Sequence, residues 1–401
     1  MPRRRTKRGE ERTPVAGTYD VIVCGASFAG LTVARELAGS GADVLVLDRD
    51  EIGAHPTSAC AVPLPWLEAL GLEGAIRQLL PFMTFSTPEG RVRVRLPWSW
   101  AAFDYAELCR LLWAQSDARF ERALVKERVP GGVRTDRGTL HAPIVVDALG
   151  WRRVLGGQPF TGRGGPVTRA LEVHPAGSGD ALDVIVDRAL ARRGYAWRVP
   201  AGEEVRVGVA SYEPRVSVKQ PTAETARRFG VPPVRHQGNL VPHRLRPAVE
   251  DGVFFAGDSA GHCFGLSAEG IRGAFYFGIA CGREVRRVVD REASLEAALA
   301  SYAAFSARHR RAFLYTYALQ RVLPELPPRV LTGAIRLLSR QRLADAVFGW
   351  YLGLLPVGDV LARASAPAGV PSFASAEEVR DDRSDRGTRS RQAYSPLDRR
   401  T

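Results

Sequence analysis

The chain has 401 residues, 45% hydrophobic and 25% charged, with five cysteines at positions 24, 60, 109, 263 and 281. That composition excludes collagen-like, wholly disordered and disulfide-stapled chains, and no cysteine pair has zinc spacing. The formal net charge is +13 and arginines crowd both ends of the chain, but no interleaved basic-aromatic stripe, clustered metal ligands or nucleophile motif points to a nucleic-acid binder, a metalloenzyme or a serine hydrolase.

Residues 1–17 begin with Arg3, Arg4, Arg5, Lys7, Arg8 and Arg12 and read as a basic, disordered arm. Gly9, Glu10, Glu11 and Arg12 stand where a signal peptide would place its apolar region. With free thiols as the default, a cytoplasmic protein is expected.

From Thr18 to Asp48 the chain reads as strand, glycine turn, helix and strand. Val21, Ile22 and Val23 form an unbroken β-branched run suited to a parallel strand covered on both faces. Gly25-Ala26-Ser27-Phe28-Ala29-Gly30 follows, apolar positions recur at helical spacing from Leu31 to Ala38, and Val44 to Leu47 supply the second strand. A dinucleotide's pyrophosphate needs backbone amides at a helix N-terminus with no side chain in the way. Gly25 makes the tight turn, Gly30 lets helix and strand pack closely, and Ser27 puts a small side chain at the middle position. Asp48, eighteen residues beyond Gly30, is placed to accept hydrogen bonds from ribose hydroxyls.

Further along, Ile144 to Asp147 reads as a strand followed by Ala148-Leu149-Gly150. In Gly194-Tyr195-Ala196-Trp197-Arg198-Val199-Pro200, Tyr195 and Trp197 point to the same face of a strand. At Gly252 to His262 a β-run ends in Gly257-Asp258, which sets a carboxylate beside a closely approached backbone, with a helix from about Ala268. The apolar run Ala346 to Gly358 is interrupted by Pro356 and followed by Asp359. It is too short to span a membrane and reads as a buried core helix, with an interfacial helix as the other reading. Residues 374–401 are Glu-, Arg-, Asp- and Ser-rich and read as a disordered tail.

The Gly257-Asp258-Ser259-Ala260-Gly261 segment, with the first glycine turn, resembles the FAD-dependent oxidoreductases built like p-hydroxybenzoate hydroxylase. Two segments narrow the resemblance to geranylgeranyl reductases. The residues Tyr195 to Pro200 are similar to that family's Tyr-x-Trp-x-Phe-Pro element, with Val199 in place of Phe, and Ala268-Glu269-Gly270-Ile271 is similar to its flavin loop. The similar segments run from about 18 to 290. Halogenases carry a related aromatic element, but the lysine they require beside the flavin has no counterpart here.

The resemblance implies an α/β chain: a Rossmann-like FAD-binding fold over 18–290, discontinuous, with a substrate-binding β-sheet inserted at about 60–110 and 160–245, then C-terminal helices over 291–370. It implies FAD held by Gly25, Ser27, Gly30 and Asp48, with Asp258 on the ribityl chain and the amides of Gly270 and Ile271 at the flavin's O2 side. Tyr195 and Trp197 would face substrate, Cys60 and His262 are the catalytic candidates, and Arg272 and Arg244 are candidates for a headgroup. The implied activity is reduction of carbon–carbon double bonds of an isoprenoid by hydride transfer from reduced flavin. Hydroxylation of an aromatic or polyketide metabolite by an FAD-dependent monooxygenase is the alternative. An apolar or lipid substrate and peripheral membrane contact follow.

Departures from the family pattern are specific. Leu149 stands where an acid usually helps hold both nucleotides, Trp100 where an arginine precedes the Phe103-Asp104 pair, Gly265 where reductases carry proline and Ala268 where they carry glycine. The losses at Leu149 and Trp100 argue against direct NADPH binding, so the electron donor is left open between NADPH and another reductant, an electron-donor protein included.

Overall fold

The computed structural model describes residues 13–56, 59–157 and 167–361, all within one compact unit. Residues up to Arg12 of the expected arm, and the expected tail, lie outside the described residues. Residues 13–17 are not part of a disordered arm. The amide of Val15 donates to the carbonyl of Arg137 at 2.9 Å, and Gly17–Thr18 pairs in parallel with Thr139–His141.

Two large sheets organise the chain. The first runs Val249–Glu250, Val253–Phe255, Ile144–Asp147, Val21–Cys24, Val44–Asp48 and Arg119–Arg122 in spatial order, parallel throughout except at Val249–Glu250. All four residues of Val21–Cys24 are buried, as an apolar run flanked on both sides by parallel neighbours requires. The second has eight strands, in the order Gln237–Pro242, Val167–Val173, Glu204–Ser211, Gly194–Ala201, Leu182–Ile185, Ile76–Thr87, Gly90–Phe103 and Ala61–Pro63. A four-stranded sheet, including Val125–Val129 and Gly132–Thr135, flanks the first and has no counterpart in the sequence reading.

The helices are α1 (Phe28–Glu36), α2 (Leu64–Leu70), α3 (Tyr105–Ala114), α4 (Lys219–Arg228), α5 (Ile271–Val289), α6 (Leu295–Arg308), α7 (Arg310–Val322), α8 (Pro328–Leu337), α9 (Gln341–Gly353) and α10 (Val357–Leu361). The largest apolar core joins the first sheet to α1 and α5 through Val21, Ile22, Leu31, Phe275 and Ile279. On the back of the eight-stranded sheet, α4 covers Val173, Val205 and Val207 with Ala226. From its front, Arg206 donates to the carbonyls of Ala59, Cys60 and Phe103. This is the expected α/β class, a Rossmann-like sheet with a second β-layer and C-terminal helices.

The reading of 346–358 as a buried core helix is corrected. The run is divided between α9 and α10, and only one face of α9 packs inward. Ala344 and Phe348 join the cluster formed with Val92 and Val94, whereas Val347 and Trp350 are exposed.

Candidate active site

The glycine turn follows directly from backbone sterics. Gly25 has φ +111°, and a Cβ there would lie 2.2 Å from the carbonyl oxygen of Ala148; at Gly30 it would lie 1.9 Å from that of Gly25. Both contacts are with backbone, so no side chain fits. Ser27 is the N-cap residue of α1 in an extended conformation, and its side chain does not cap the helix; instead its Oγ accepts from the Tyr105 hydroxyl at 3.1 Å. The first turn of α1 carries no acid, leaving the positive end of the helix open to an anion. Asp48 Oδ2 accepts from the Ala26 amide at 2.8 Å and Oδ1 from that of Asp50 at 3.1 Å. Burial raises its carboxyl pKa, and those two amide bonds oppose the rise.

The second half of the site hangs on Asp147, fully buried at the end of its strand. Its carboxylate accepts from the amides of Leu149 at 2.9 Å and Leu155 at 2.8 Å and from the Ser259 hydroxyl at 2.7 Å. That clasp fixes the Gly257–Ala260 turn and with it Asp258. Asp258 is only partly buried and accepts no hydrogen bond among the described residues; desolvation pushes its carboxyl up to about 6, against a smaller opposing pull from Arg246. A Cβ at Gly270 would come within 3.3 Å of Asp258 Oδ1, which places the carboxylate beside the N-terminus of α5. That terminus also has no side-chain cap and no acid in its first turn.

Two open helix N-termini and two carboxylates that can accept from hydroxyls suit a ligand with a diphosphate and polyol segments. Gly25, Ser27, Gly30, Asp48, Asp258, Gly270 and Ile271 all lie on this cradle, and the residues present fit FAD.

The segment leading into α5 is held from the sheet. The Tyr195 hydroxyl donates to the carbonyl of Ser267, and Tyr212 donates to that of Leu266 at 2.7 Å. Trp197 lies beside Tyr195, ring centroids 5.9 Å apart, and its indole Nε1 donates to Glu172 Oε2 at 3.3 Å. A Cβ at Gly208, its cross-strand partner, would come within 2.2 Å of the indole, so the ring lies over that glycine. Strand register extends the line across the front of the sheet: Gln237, Glu172, Gly208, Trp197, Val184, Phe85 and Val92 are successive partners. One end is polar. Glu172 Oε1 accepts from Gln237 Nε2 and contacts His174 Nε2, each at 2.9 Å. The other end is apolar, and Trp197, Val184, Phe85, Trp100 and Phe348 leave part of that surface uncovered.

The two catalytic candidates do not reach this surface. Cys60 is 1% exposed, its carbonyl is held by Arg206 Nη1 at 3.1 Å, and burial raises its thiol pKa. His262 is fully buried, stacked on Phe277 at 3.7 Å with Nε2 bonded to Ser306 Oγ at 3.0 Å, and burial pushes its pKa well below the usual imidazole value. It is a neutral core residue. Arg272 is likewise enclosed, bonded to Glu269 and to the Leu352 carbonyl, so it cannot meet a headgroup, whereas Arg244 is exposed and lies 4.5 Å over the Tyr317 ring. Sequence reasoning missed Asp147 as the clasp, together with Arg206, Tyr212 and Glu172. Strand-end position was a signal for Asp147; the others depend on register.

The fold and this cradle are similar to those of FAD-dependent oxidoreductases. The digeranylgeranylglycerophospholipid reductase 1 of Methanothermobacter thermautotrophicus is 25% identical over 311 residues, 68% of this chain and 78% of that protein. A geranylgeranyl bacteriochlorophyll reductase-like protein from Thermoplasma acidophilum superposes with a TM-score of 0.73 at 17% identity, covering 87% of this chain and 98% of the other. A probable FAD-dependent monooxygenase from Pseudomonas aeruginosa superposes with a TM-score of 0.60 at 18% identity, over 80% and 100% of the two chains. No protein-family model matches the chain.

Proposed function

We propose that the protein reduces carbon–carbon double bonds of an isoprenoid lipid. The observation that carries this reading is the apolar half of the cross-strand row, Trp197, Val184 and Phe85, flanked by Trp100 and Phe348. The likeness to a digeranylgeranylglycerophospholipid reductase supports it. Bound FAD supplies the hydride chemistry.

The chain's own residues bind, orient and exclude water. The open N-termini of α1 and α5 hold negative charge, while Asp48 and Asp258 accept from hydroxyls. Tyr195 and Tyr212 fix the Leu266–Ser267 backbone, and the aromatic and aliphatic row gives an alkenyl chain a dry surface. The Glu172, His174 and Gln237 group ends that surface with polar atoms, which suits an amphiphile. Burial contributes about 0.8 kcal/mol per methylene, so shortening the substrate by one five-carbon unit is expected to raise KM at least ~10-fold.

The test is anaerobic incubation of the FAD-loaded, chemically reduced protein with geranylgeranyl-bearing lipids, followed by mass spectrometry. A gain of two hydrogens per double bond, matched by flavin reoxidation, is the expected result. Flavin that stays reduced until air is admitted, with an oxygen atom then gained by an aromatic acceptor, overturns the reading in favour of a monooxygenase.

A further inference from the structure

We propose that α9, with the exposed side of α8, docks on the surface of an anionic lipid bilayer. The helix α9 is two-faced. Ala344, Phe348 and Tyr351 turn toward the protein, while Leu343, Val347 and Trp350, spaced i, i+4 and i+7, are 37%, 40% and 49% exposed. On α8, Val330 and Leu337 are exposed at the same seven-residue spacing. A soluble surface seldom sets large apolar side chains in a stripe.

Charge identifies the partner. Between Pro328 and Gly353 the chain carries Arg329, Arg336, Arg340 and Arg342 against a single acid, Asp345. The carboxylate of Asp345 accepts from the Gln341 side chain at 2.7 Å. Arg329 lies 3.8 Å from Glu89, and Arg336 reaches the carbonyl of the same residue at 3.4 Å. Arg340 and Arg342 are exposed and form no ion pair among the described residues. An apolar stripe containing tryptophan and rimmed by arginines matches the acyl–headgroup boundary of a membrane with anionic lipids.

The helix lies on the bilayer and does not cross it. Gln341–Leu361 is long and apolar enough by composition to span, and 22% of its most apolar 18-residue window is buried in the protein. The stretch breaks between Gly353 and Val357, carries Arg342, Asp345 and Asp359, and commits the opposite face of α9 to the core. A lone two-faced helix broken by Pro356 cannot satisfy its backbone in hydrocarbon.

This surface adjoins the reactive half of the molecule. Phe348 packs against the cluster containing Trp197, the Tyr351 hydroxyl bonds Ser267 Oγ at 2.6 Å and Glu269 Oε2 at 2.5 Å, and Arg272 donates to the Leu352 carbonyl at 2.8 Å. Transfer of a lipid substrate past α9 rests on the function proposed above; docking itself does not.

The experiment is co-sedimentation of the full-length, FAD-loaded protein with vesicles of phosphatidylcholine alone or mixed with phosphatidylglycerol. Salt-sensitive binding to the mixed vesicles is expected. Val347→Ser/Trp350→Ser and Arg340→Glu/Arg342→Glu should each lower the bound fraction at least ~10-fold while keeping the flavin spectrum. Brominated acyl chains should quench indole fluorescence in the wild type and less in Trp350→Phe, a readout independent of whether the double variants fold. Equal binding to both vesicle types, unchanged binding of both double variants, or a vesicle-free dimer that these variants dissociate would each overturn the proposal. None of these readouts involves turnover, so a failed reductase assay with retained vesicle binding refutes only the function.

Discussion

Replacing Asp258 by asparagine should stabilise the cofactor-free protein at neutral pH and weaken its hold on FAD. Desolvation pushes this carboxyl from 3.8 up to about 6, and the attraction of Arg246 offsets only part of that. At 1.36 kcal/mol per pKa unit, keeping the group ionised in the fold costs about 3 kcal/mol above that value, an upper limit because Asp258 keeps some contact with water. The folded chain holds the proton up to about pH 6 and the unfolded chain only to 3.8, so between these values the folded state binds more protons and stability falls as pH rises. Asparagine removes both the charge and its pH dependence. Urea unfolding of the cofactor-free protein should show a gain of ~1–3 kcal/mol for Asp258→Asn near pH 7.5, shrinking toward zero near pH 4. The same substitution removes a charged acceptor and should raise the FAD Kd ~10- to 100-fold. A variant less stable than wild type at neutral pH, or one whose stability difference is the same at both pH values, would refute the reasoning, because either result means that the carboxylate already has a protein partner.

Gly30→Ala puts a Cβ 1.9 Å from the Gly25 carbonyl oxygen; the turn must open, and loss of the bound flavin spectrum with a destabilisation of ~1–3 kcal/mol is expected. Gly208→Ala pushes a methyl into the Trp197 indole, so indole fluorescence should change and KM should rise with the fold and FAD content intact. Cys60→Ala should leave kcat within ~2-fold of wild type, since its thiol is enclosed; a loss beyond that expected for one acid catalyst, ~10²-fold or more, would restore Cys60 as a proton donor. His243, buried against Thr168 and Gln320, has its pKa pushed down to about 4 from 6.5. The folded state therefore binds fewer protons than the unfolded state between these values. Its contribution is complete above pH 6.5 and is lost as pH falls to about 4, by up to ~3 kcal/mol, a slope that His243→Asn should flatten in urea titrations.

Local patterns carried the nucleotide-binding half. Val21 to Asp48 announces strand, turn and helix within a few residues, and the steric need for Gly25 and Gly30 is backbone geometry that any chain entering this turn must obey. Asp258 was legible because its glycine turn follows a strand in the same way. The face of the eight-stranded sheet was not, because its chemistry depends on register between strands far apart in sequence: Glu172 meets Trp197 only because both are paired with Gly208. Arg206 reads as an exposed arginine on an alternating strand, yet it is buried because three carbonyls and Glu204 accept from it. The burial of Cys60 and His262 was not legible for a related reason. Proximity in sequence to a glycine-rich loop does not tell which way a side chain turns, and both turn into the core. The apolar run at 346–358 contains enough aliphatic and aromatic residues for a core helix, but Ala346, Val347 and Trp350 are exposed once the helix is laid on the sheet.

The short Leu266–Glu269 segment connects these layers. It has no strand or helix of its own, so its position is set by contacts from elsewhere. Tyr195 and Tyr212 take its carbonyls from the eight-stranded sheet, while Tyr351 takes the Ser267 hydroxyl and the Glu269 carboxylate from α9. Glu269 is in turn paired with fully buried Arg272 on the first turn of α5. A buried pair of this kind is costly to break and adds little when intact, so its effect is to specify position. The N-terminus of α5, beside Asp258, is therefore placed by the sheet and by the C-terminal helices as well as by the nucleotide-binding fold. Affinity for FAD should consequently respond to substitution of Tyr195 on the sheet and of Tyr351 on α9, which hold this segment.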